Sequence, residues 1–301
     1  MNQSLTSQKQ NAPVPDLPKD TAFTSAHDGS ETEIVIKSSA AWFDLDFLNL
    51  WAYRELLYFL ALRDIKLRYK QTFLGIAWVL LQPAATTLIF TIIFTRIGQI
   101  EAAGVAYALF AFSGFALWTF IGSAVTSASN SLINNTSLVT KTFFPRLLVP
   151  IAAITAHLLD LLLGLLALTA AMFYFPVALS WRILLAPLFV LQILILTLGV
   201  GILLSALNVR FRDIKQLLPF ALQLWLFLTP VFYSLELLPE RLVWIWKLNP
   251  LTGALEAFRA SLFGRNFDAA GIAVSAVLTI FVFALALFVF RQMEDSFADV
   301  I

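Results

Sequence analysis

The sequence predicts an all-α integral membrane protein: six transmembrane helices, an N-terminal amphipathic interface helix, and short re-entrant helices before the last span. Composition and patterning carry that prediction. Of 301 residues, 59% are hydrophobic and 13% charged, and the mean hydropathy is +0.82; a soluble domain is nearer half apolar and a quarter charged. The apolar residues gather into six stretches of spanning length, with most charges in the connections. A net charge of +1 carries no message about nucleic acid, and none is expected as a partner. Without cysteine there is no disulfide, thiolate metal site or cysteine nucleophile, and no metal site is expected.

Residues 1–40 are polar and rich in Pro, Ser, Thr and Asp. They cannot bury enough apolar area to offset the entropy of ordering, so they read as a flexible cytoplasmic tail. No short apolar core follows the start methionine, so no signal peptide is expected and the chain enters the membrane through its own first spans.

The interface helix is read over residues 50–71. In the helix that ends in RDIKLRYK (Arg63–Lys70), Tyr58, Leu62, Ile65 and Tyr69 share one helical face and Arg63, Lys66 and Lys70 the opposite one. Asp64 and Arg68 are expected to pair at i,i+4. Such a helix lies in the headgroup layer, apolar side in lipid, basic side toward anionic lipid or a partner; a generic positive anchor is the plainer reading. Phe73 and Gly75 mark the turn into the first span.

A span needs roughly 20 mostly apolar residues. Phe73–Thr95, Val105–Ala128, Leu147–Phe175, Ile183–Leu207, Leu217–Leu235 and Ala269–Phe290 qualify. In the fifth, Pro219 and Pro230 are expected to kink the helix. With the N-terminus inside, the inner segments carry Arg54, Arg63, Lys66, Arg68, Lys70, Lys141, Arg146, Arg210, Arg212, Lys215 and Arg291. The outer ones carry only Arg96, Arg182, Arg241, Lys247, Arg259 and Arg265, four of them offset by Glu236, Glu240, Glu256 and Asp268. The positive-inside rule therefore puts both termini in the cytoplasm.

Three loops stand out. Between the second and third spans, Asn134–Thr136 reads as a turn, Ser137 as a cap, and Leu138–Phe144 as a short helix ended by Pro145. It presents Leu138, Val139, Phe143 and Phe144 with only Lys141 charged. Apolar surface on a short cytoplasmic helix points either to a docking protein or to packing under the bundle. NVRFRDIKQ (Asn208–Gln216) is a tight basic connection at the headgroups. The outer loop before the last span holds two short apolar pieces split by Asn249-Pro250; Leu251, Leu255, Phe258 and Leu262 share a face opposite Glu256 and Arg259, and Trp244 and Trp246 suit an interface. These pieces are read as helices dipping into the outer leaflet, gating a pore or plugging the bundle.

Within the spans the ionisable side chains are His157 and Asp160 on the third. An intramembrane acid is by default a functional candidate; a satisfied packing residue near water is the alternative. There is no G-x-x-x-x-G-K-[ST], H-E-x-x-H or G-x-S-x-G.

Taken together, the basic elbow running into FLGIAWVLLQP, NNTSLVTKTFFPR, NVRFRDIKQ, LNPLTGALEAFR and the terminal FADVI resemble the permease subunits of type-2 ABC transporters that export O-antigen, capsule and teichoic acid polysaccharides. The resemblance runs from Leu50 to Ile301. It implies a homodimer that binds two copies of a separate ABC ATPase, with ATP and Mg on that partner and no cofactor on this chain. It further implies a multi-pass protein of the cell inner membrane whose substrate is a lipid-linked polysaccharide. On that view residues 138–146 form the coupling helix, with Leu138, Val139, Lys141, Phe143, Phe144 and Arg146 as ATPase contacts. Arg63, Lys66, Arg68 and Lys70 would meet the substrate's pyrophosphate. Residues 238–264 would form an outer gate carried by Trp244, Trp246, Asn249, Pro250, Phe258 and Arg259. The resemblance assigns nothing to His157 or Asp160. Competing readings are a type-2 exporter of a drug or small lipid, an intramembrane transferase, which would need convergent acids or a metal, and an ion-coupled carrier, which would need internal repeats.

Overall fold

The computed structural model describes residues 51–70, 75, 77–97, 106–175, 177 and 180–297; the 1–40 tail, Phe73 and the Ala298–Ile301 terminus lie outside them. All regular structure among the described residues is helical: α1 Arg54–Tyr69, α2 Ala77–Thr91, α3 Tyr107–Asn134, α4 Thr136–Lys141, α5 Leu148–Thr155, α6 Leu158–Tyr174, α7 Ala186–Arg210, α8 Ile214–Leu228, α9 Glu240–Lys247, α10 Pro250–Phe263 and α11 Ala269–Glu294. A π-helical turn, Ile92–Ile97, extends α2, and a 3₁₀ turn, Trp181–Leu185, leads into α7.

Helix α3 is the axis of the fold. Ala111, Ser113, Gly114, Ala116, Ala124, Ala128, Ser129 and Ser131 stud it with small residues, all buried. In a bilayer, lipid tails are as apolar as leucine, so helices associate by close approach of small residues. Accordingly α3 packs on α2, α5, α6 and α7, while α7 packs on α10 and α11. The helices at the rim show the opposite pattern: Leu88 and Ile89 on α2, Phe220 and Phe227 on α8, and Val277 and Ile280 on α11 are exposed large apolar side chains, as a lipid-facing surface requires.

Five helical segments are long and apolar enough to cross a membrane: Ala77–Thr95, Tyr107–Asn134, Leu148–Tyr174, Trp181–Arg210 and Ala269–Glu294. The expected fifth span, Leu217–Leu235, differs. Its helix α8 has 15 residues and ends at Leu228, about 22 Å of rise against a hydrocarbon core of roughly 30 Å. Pro219 lies within it, and Pro230 follows its end. The third expected span, Leu147–Phe175, is also interrupted: a turn at Ala156 and His157 separates α5 from α6, and His157 N–H donates to Ile154 O at 2.9 Å.

Helix α10 is buried along nearly its whole length, because a short helix surrounded by α3, α7 and α11 has no face left for water. The expected division, apolar face against Glu256 and Arg259, does not hold, since Arg259 is fully buried. At the α10–α11 contact a Cβ on Gly253 would overlap the Gly271 carbonyl oxygen and lie 2.6 Å from Ser275 Cβ. Backbone cannot yield there without moving a helix. Gly253→Ala is therefore expected to cost about 1–3 kcal/mol, read as a lower Tm of the detergent-solubilised chain. Gly122→Ala is the control, since nothing lies within 4 Å of its Cβ position.

Candidate functional site: two polar closures and an exposed aromatic tip

One closure is built on Arg259 of α10. Its five N–H groups all have acceptors. Nε donates to Ser113 Oγ (3.2 Å), Nη1 to Pro230 O (2.5 Å) and Glu256 Oε1 (2.9 Å), and Nη2 to Phe110 O (3.2 Å) and Val231 O (2.5 Å). The guanidinium also lies over the Phe110 ring, 3.7 Å from its centroid. Pro230 and Val231 are the non-helical residues after α8, whose carbonyls have no helical partner. Gly114 makes room, since a Cβ there would lie 2.5 Å from Arg259 Nη2. Asn249 completes the closure. Its Oδ1 caps Leu251 N–H (3.1 Å) and accepts from Trp225 Nε1 (3.0 Å), and its Nδ2 donates to Thr229 Oγ1 (2.8 Å). Trp246 Nε1 donates to the Tyr233 hydroxyl at 2.5 Å, whereas Trp244 is exposed. The structure thus separates the gate candidates: Arg259, Asn249 and Phe258 hold the interior, and Trp244 faces outward.

Between α9, α10 and the start of α11 opens a cavity of about 440 Å³ bordered by Lys247, Glu256, Arg265 and Asp268. Lys247 at 2.7 Å holds the Asp268 carboxyl below its ordinary value, aided by the backbone N–H groups of Gly271 and Ala270 and opposed by partial burial.

A second closure joins α1 to the interrupted third span. Arg68 Nη1 donates to Asp160 Oδ2 at 2.6 Å, Arg68 Nη2 lies 2.5 Å from His157 Nε2, and His157 Nδ1 lies 3.0 Å from Asp160 Oδ2. The Tyr69 hydroxyl donates to Asp160 Oδ1. Burial, then the bond to the Asp160 carboxylate, pushes the Tyr69 phenol up to about 12, so it stays a donor. This corrects two expectations. Asp64 pairs with Arg63 (2.9 Å) instead of Arg68, because Arg68 has a nearer use for its charge. Nor do Tyr58, Leu62, Ile65 and Tyr69 act as one lipid face: Leu60, Ala61, Asp64 and Arg68 turn toward the protein, Tyr58 is exposed, and Tyr69 reaches Asp160. Lys66 and Lys70 are exposed, and Arg63 also donates to Asn135 Oδ1 at 2.7 Å.

Sequence reasoning missed Ser127, whose Oγ lies 2.8 Å from His157 Nε2. Ser127 sits 30 residues before His157, with no spacing motif to link them. Ser, His and Asp in this order look like a nucleophile with its base and orienting acid. Two features oppose that use. The Arg68 guanidinium sits on the same Nε2 lone pair that would take the serine proton. Ser127 also lies inside the continuous helix α3, where neighbouring N–H groups are spent on helical bonds and none is aimed at an oxyanion. Among the described residues no group of three or more metal-ligating His, Asp or Glu side chains gathers.

At the other end of the bundle, the loop after α3 divides the remaining candidates. The helix there is Thr136–Lys141, shorter than expected and begun earlier. Ser137 makes no capping bond; Asn135 is the N-cap position, its own side chain turned to Ser131 O and Arg63. Val139 and Phe144 are buried in a cluster with Leu132, Leu148, Phe290 and Phe297. Arg146 faces inward as well: its backbone N–H donates to Glu294 Oε1 (3.2 Å) and its guanidinium to Glu294 O. Phe143, 91% exposed, and exposed Lys141 form the tip.

Helices of this length and apolarity, a buried re-entrant α10 and an aromatic tip on the α3–α5 loop are what the family comparison meets, and residues 55–263 match the ABC-2 type transporter family. The chain belongs to that family. Among relatives of this ABC-2 membrane protein are the O-antigen export system permease proteins RfbA of Klebsiella pneumoniae and of Myxococcus xanthus. The first is 27% identical over 84% of this chain and 97% of the relative; the second is 29% identical over 83% and 97%. The polysialic acid transport protein KpsM of Escherichia coli is 26% identical over 79% and 93%. As an ABC-2 chain this is a multi-pass membrane transport protein.

Replacing Arg259 by Lys leaves one ammonium where five acceptors wait. The expected loss is about 3–5 kcal/mol, read as thermal unfolding followed by tryptophan fluorescence. A smaller effect is expected at Asp268. Because the folded chain holds its carboxyl low, the Lys247 pair stabilises above the ordinary carboxylate value, and that share fades as pH falls through the lowered one. With Asp268 half exposed it amounts to about 0.2–1 kcal/mol, so Asp268→Asn should lower Tm slightly at neutral pH and by progressively less as the pH is brought below the ordinary carboxylate value.

Proposed function

We propose that this chain is the permease subunit of an ATP-driven exporter that moves a lipid-linked polysaccharide of O-antigen or capsule type across the cytoplasmic membrane. It works as a homodimer with two copies of a separate ABC ATPase, which carry the ATP and Mg, and it lies in the cell inner membrane with both termini in the cytoplasm. The family match supports the transport part, and the names of the relatives support the polysaccharide part. The observation that carries the ATPase part is Phe143. An aromatic ring 91% exposed at a cytoplasmic loop, on a base made rigid by buried Val139 and Phe144, has the form of a peg made for a socket.

On this reading ATP-driven closure of the partner pushes the Phe143 and Lys141 tip, and the two bundles rock apart. Leu138, Val139, Phe144 and Arg146 hold the peg's shape and do not touch the partner. The substrate approaches along α1, where Arg63, Lys66 and Lys70 meet the pyrophosphate; Arg68 is withdrawn from that role by Asp160. The α9–α10 pair, with Trp244, Trp246, Asn249 and Pro250, forms the outer gate, and Arg259 and Phe258 anchor it.

The experiment is co-purification of the solubilised chain with the ATPase encoded beside its gene. The native pair is expected to co-purify, and Phe143→Asp to abolish binding while leaving Tm unchanged, since the side chain touches nothing it could destabilise. Failure of the native chain to retain any ATPase would remove the reading. Loss of surface polymer, with small lipids still exported, would follow from deleting the gene if the substrate class is right.

A further inference from the structure

The cavity between α9, α10 and the start of α11 takes no part in the closure around Arg68. At about 440 Å³ it falls in the size range of small-ligand pockets, roughly 300–1,000 Å³. Its floor is made of residues with little or no side chain: Gly253, Ala257 and Ala260 along one face of α10, and Gly271 of α11. Cavities that stay empty are apolar. This one is bordered by Lys247, Glu256, Arg265, Asn266 and Asp268.

The charges around it are already matched. Lys247 Nζ lies 2.7 Å from Asp268 Oδ2, Arg265 Nη2 lies 2.5 Å from Glu236 Oε1, and Glu256 Oε1 lies 2.9 Å from Arg259 Nη1. A phosphate bound here would draw a cation from its carboxylate. A metal ion would draw a carboxylate from its cation. Either ligand leaves a charged group without its partner, which costs what the new contact gains.

What remains is hydrogen-bonding capacity without net charge. Glu256 Oε2 accepts from no described residue, and the side chain is 23% exposed. Its aim is fixed, because its other oxygen is held by the fully buried Arg259. Asn266 Oδ1 receives only two long contacts, both 3.5 Å from Arg182, and its Nδ2 donates to no described residue. An ammonium has three N–H groups and a guanidinium five, so Lys247 and Arg265 keep donors beyond those spent on Asp268 and Glu236. Donors and acceptors thus border one space. A hydroxyl gives and takes hydrogen bonds at a single atom, whereas an amine cation only gives and an ionised acid only takes. No aromatic ring borders the cavity, so hydrogen bonds and not stacking would hold the ligand.

We propose that this cavity binds a neutral, polyhydroxylated ligand the size of a sugar ring, held by Glu256, Asn266, Lys247 and Arg265. The site is distinct from the basic residues of α1 assigned to the pyrophosphate. Only the source of the ring rests on the exporter reading: there it is a unit of the passing polymer, and a free sugar is the other source of the same chemistry.

The probe is a set of methyl pyranosides that differ in configuration at single carbons, offered to the full-length chain in phosphatidylcholine nanodiscs, which bring no sugar headgroup. Saturation-transfer difference NMR reads the binding. At least one glycoside is expected to take up saturation, and its epimers less, because fixed donors and acceptors read the direction of each hydroxyl. Asn266→Leu and Lys247→Met should each weaken binding about 3- to 10-fold, the worth of a hydrogen bond. Neither side chain is buried, and a native-like melting curve shows that each variant folds. Absence of transfer to every glycoside, transfer undiminished in both variants, or binding of glycerol phosphate or betaine in their place would each overturn the proposal. Deacylated surface polysaccharide from the same cells, added as competitor, separates the sources: displacement assigns the ring to the polymer, and a persisting signal assigns a free sugar. No ATPase is needed, so a chain that retains no ATPase can still bind the glycoside, and the two readings fail separately.

Discussion

One fully buried guanidinium sets the terms for the end of the bundle where α8 stops and α10 is buried. A bilayer supplies no water to backbone carbonyls, so a helix can stop inside it only where protein takes over the freed groups. Arg259 takes over Pro230 and Val231 at the end of α8 and also bonds to α3 through Phe110 and Ser113. From that follow the shortness of α8, the return of the chain through α9 and α10, and the need for glycine at position 114. Burying a charge is costly. Glu256 shares it, and the complete set of five bonds leaves no N–H without an acceptor.

At the other end, where α1 meets the third span, an arginine is held by side chains alone. The break between α5 and α6 is flanked by His157 and Asp160, and again a cation reaches in from another helix. There the partners are few and shared, with the Asp160 carboxylate facing Arg68, the Tyr69 hydroxyl and the His157 ring together. Arg259, by contrast, has no titratable acceptor except Glu256 and depends mostly on carbonyls. One closure rests mostly on backbone carbonyls and the other on side chains alone.

The sequence made the all-helical membrane fold legible, since hydropathy and positive charge are one-dimensional signals. The short helices either side of Asn249-Pro250 and the turn at Gly75 were also readable, because Pro, Gly and capping residues act locally. What sequence concealed were partnerships across helices. The i,i+4 rule paired Asp64 with Arg68, yet a carboxylate 92 positions away wins by being drier. Arg259 read as a polar face of an amphipathic helix, because periodicity cannot tell water from five acceptors on neighbouring segments. Ser127 had no signal at all. In the loop after α3 the apolar residues were found, but their division into buried Val139 and Phe144 and exposed Phe143 depends on where α11 ends, which local pattern does not carry.

That ending gives the last helix a second employment. Helix α11 runs 26 residues, about 39 Å, without a proline or a break. At one end Gly271 and Ser275 lie in close contact with Gly253 and Pro250 of α10; at the other Glu294 grips the root of the loop that bears Phe143. An unbroken ladder of helical hydrogen bonds makes such a helix stiff along its axis, so it acts as a spacer that fixes the distance between the α10 contact and the root of the Phe143 loop.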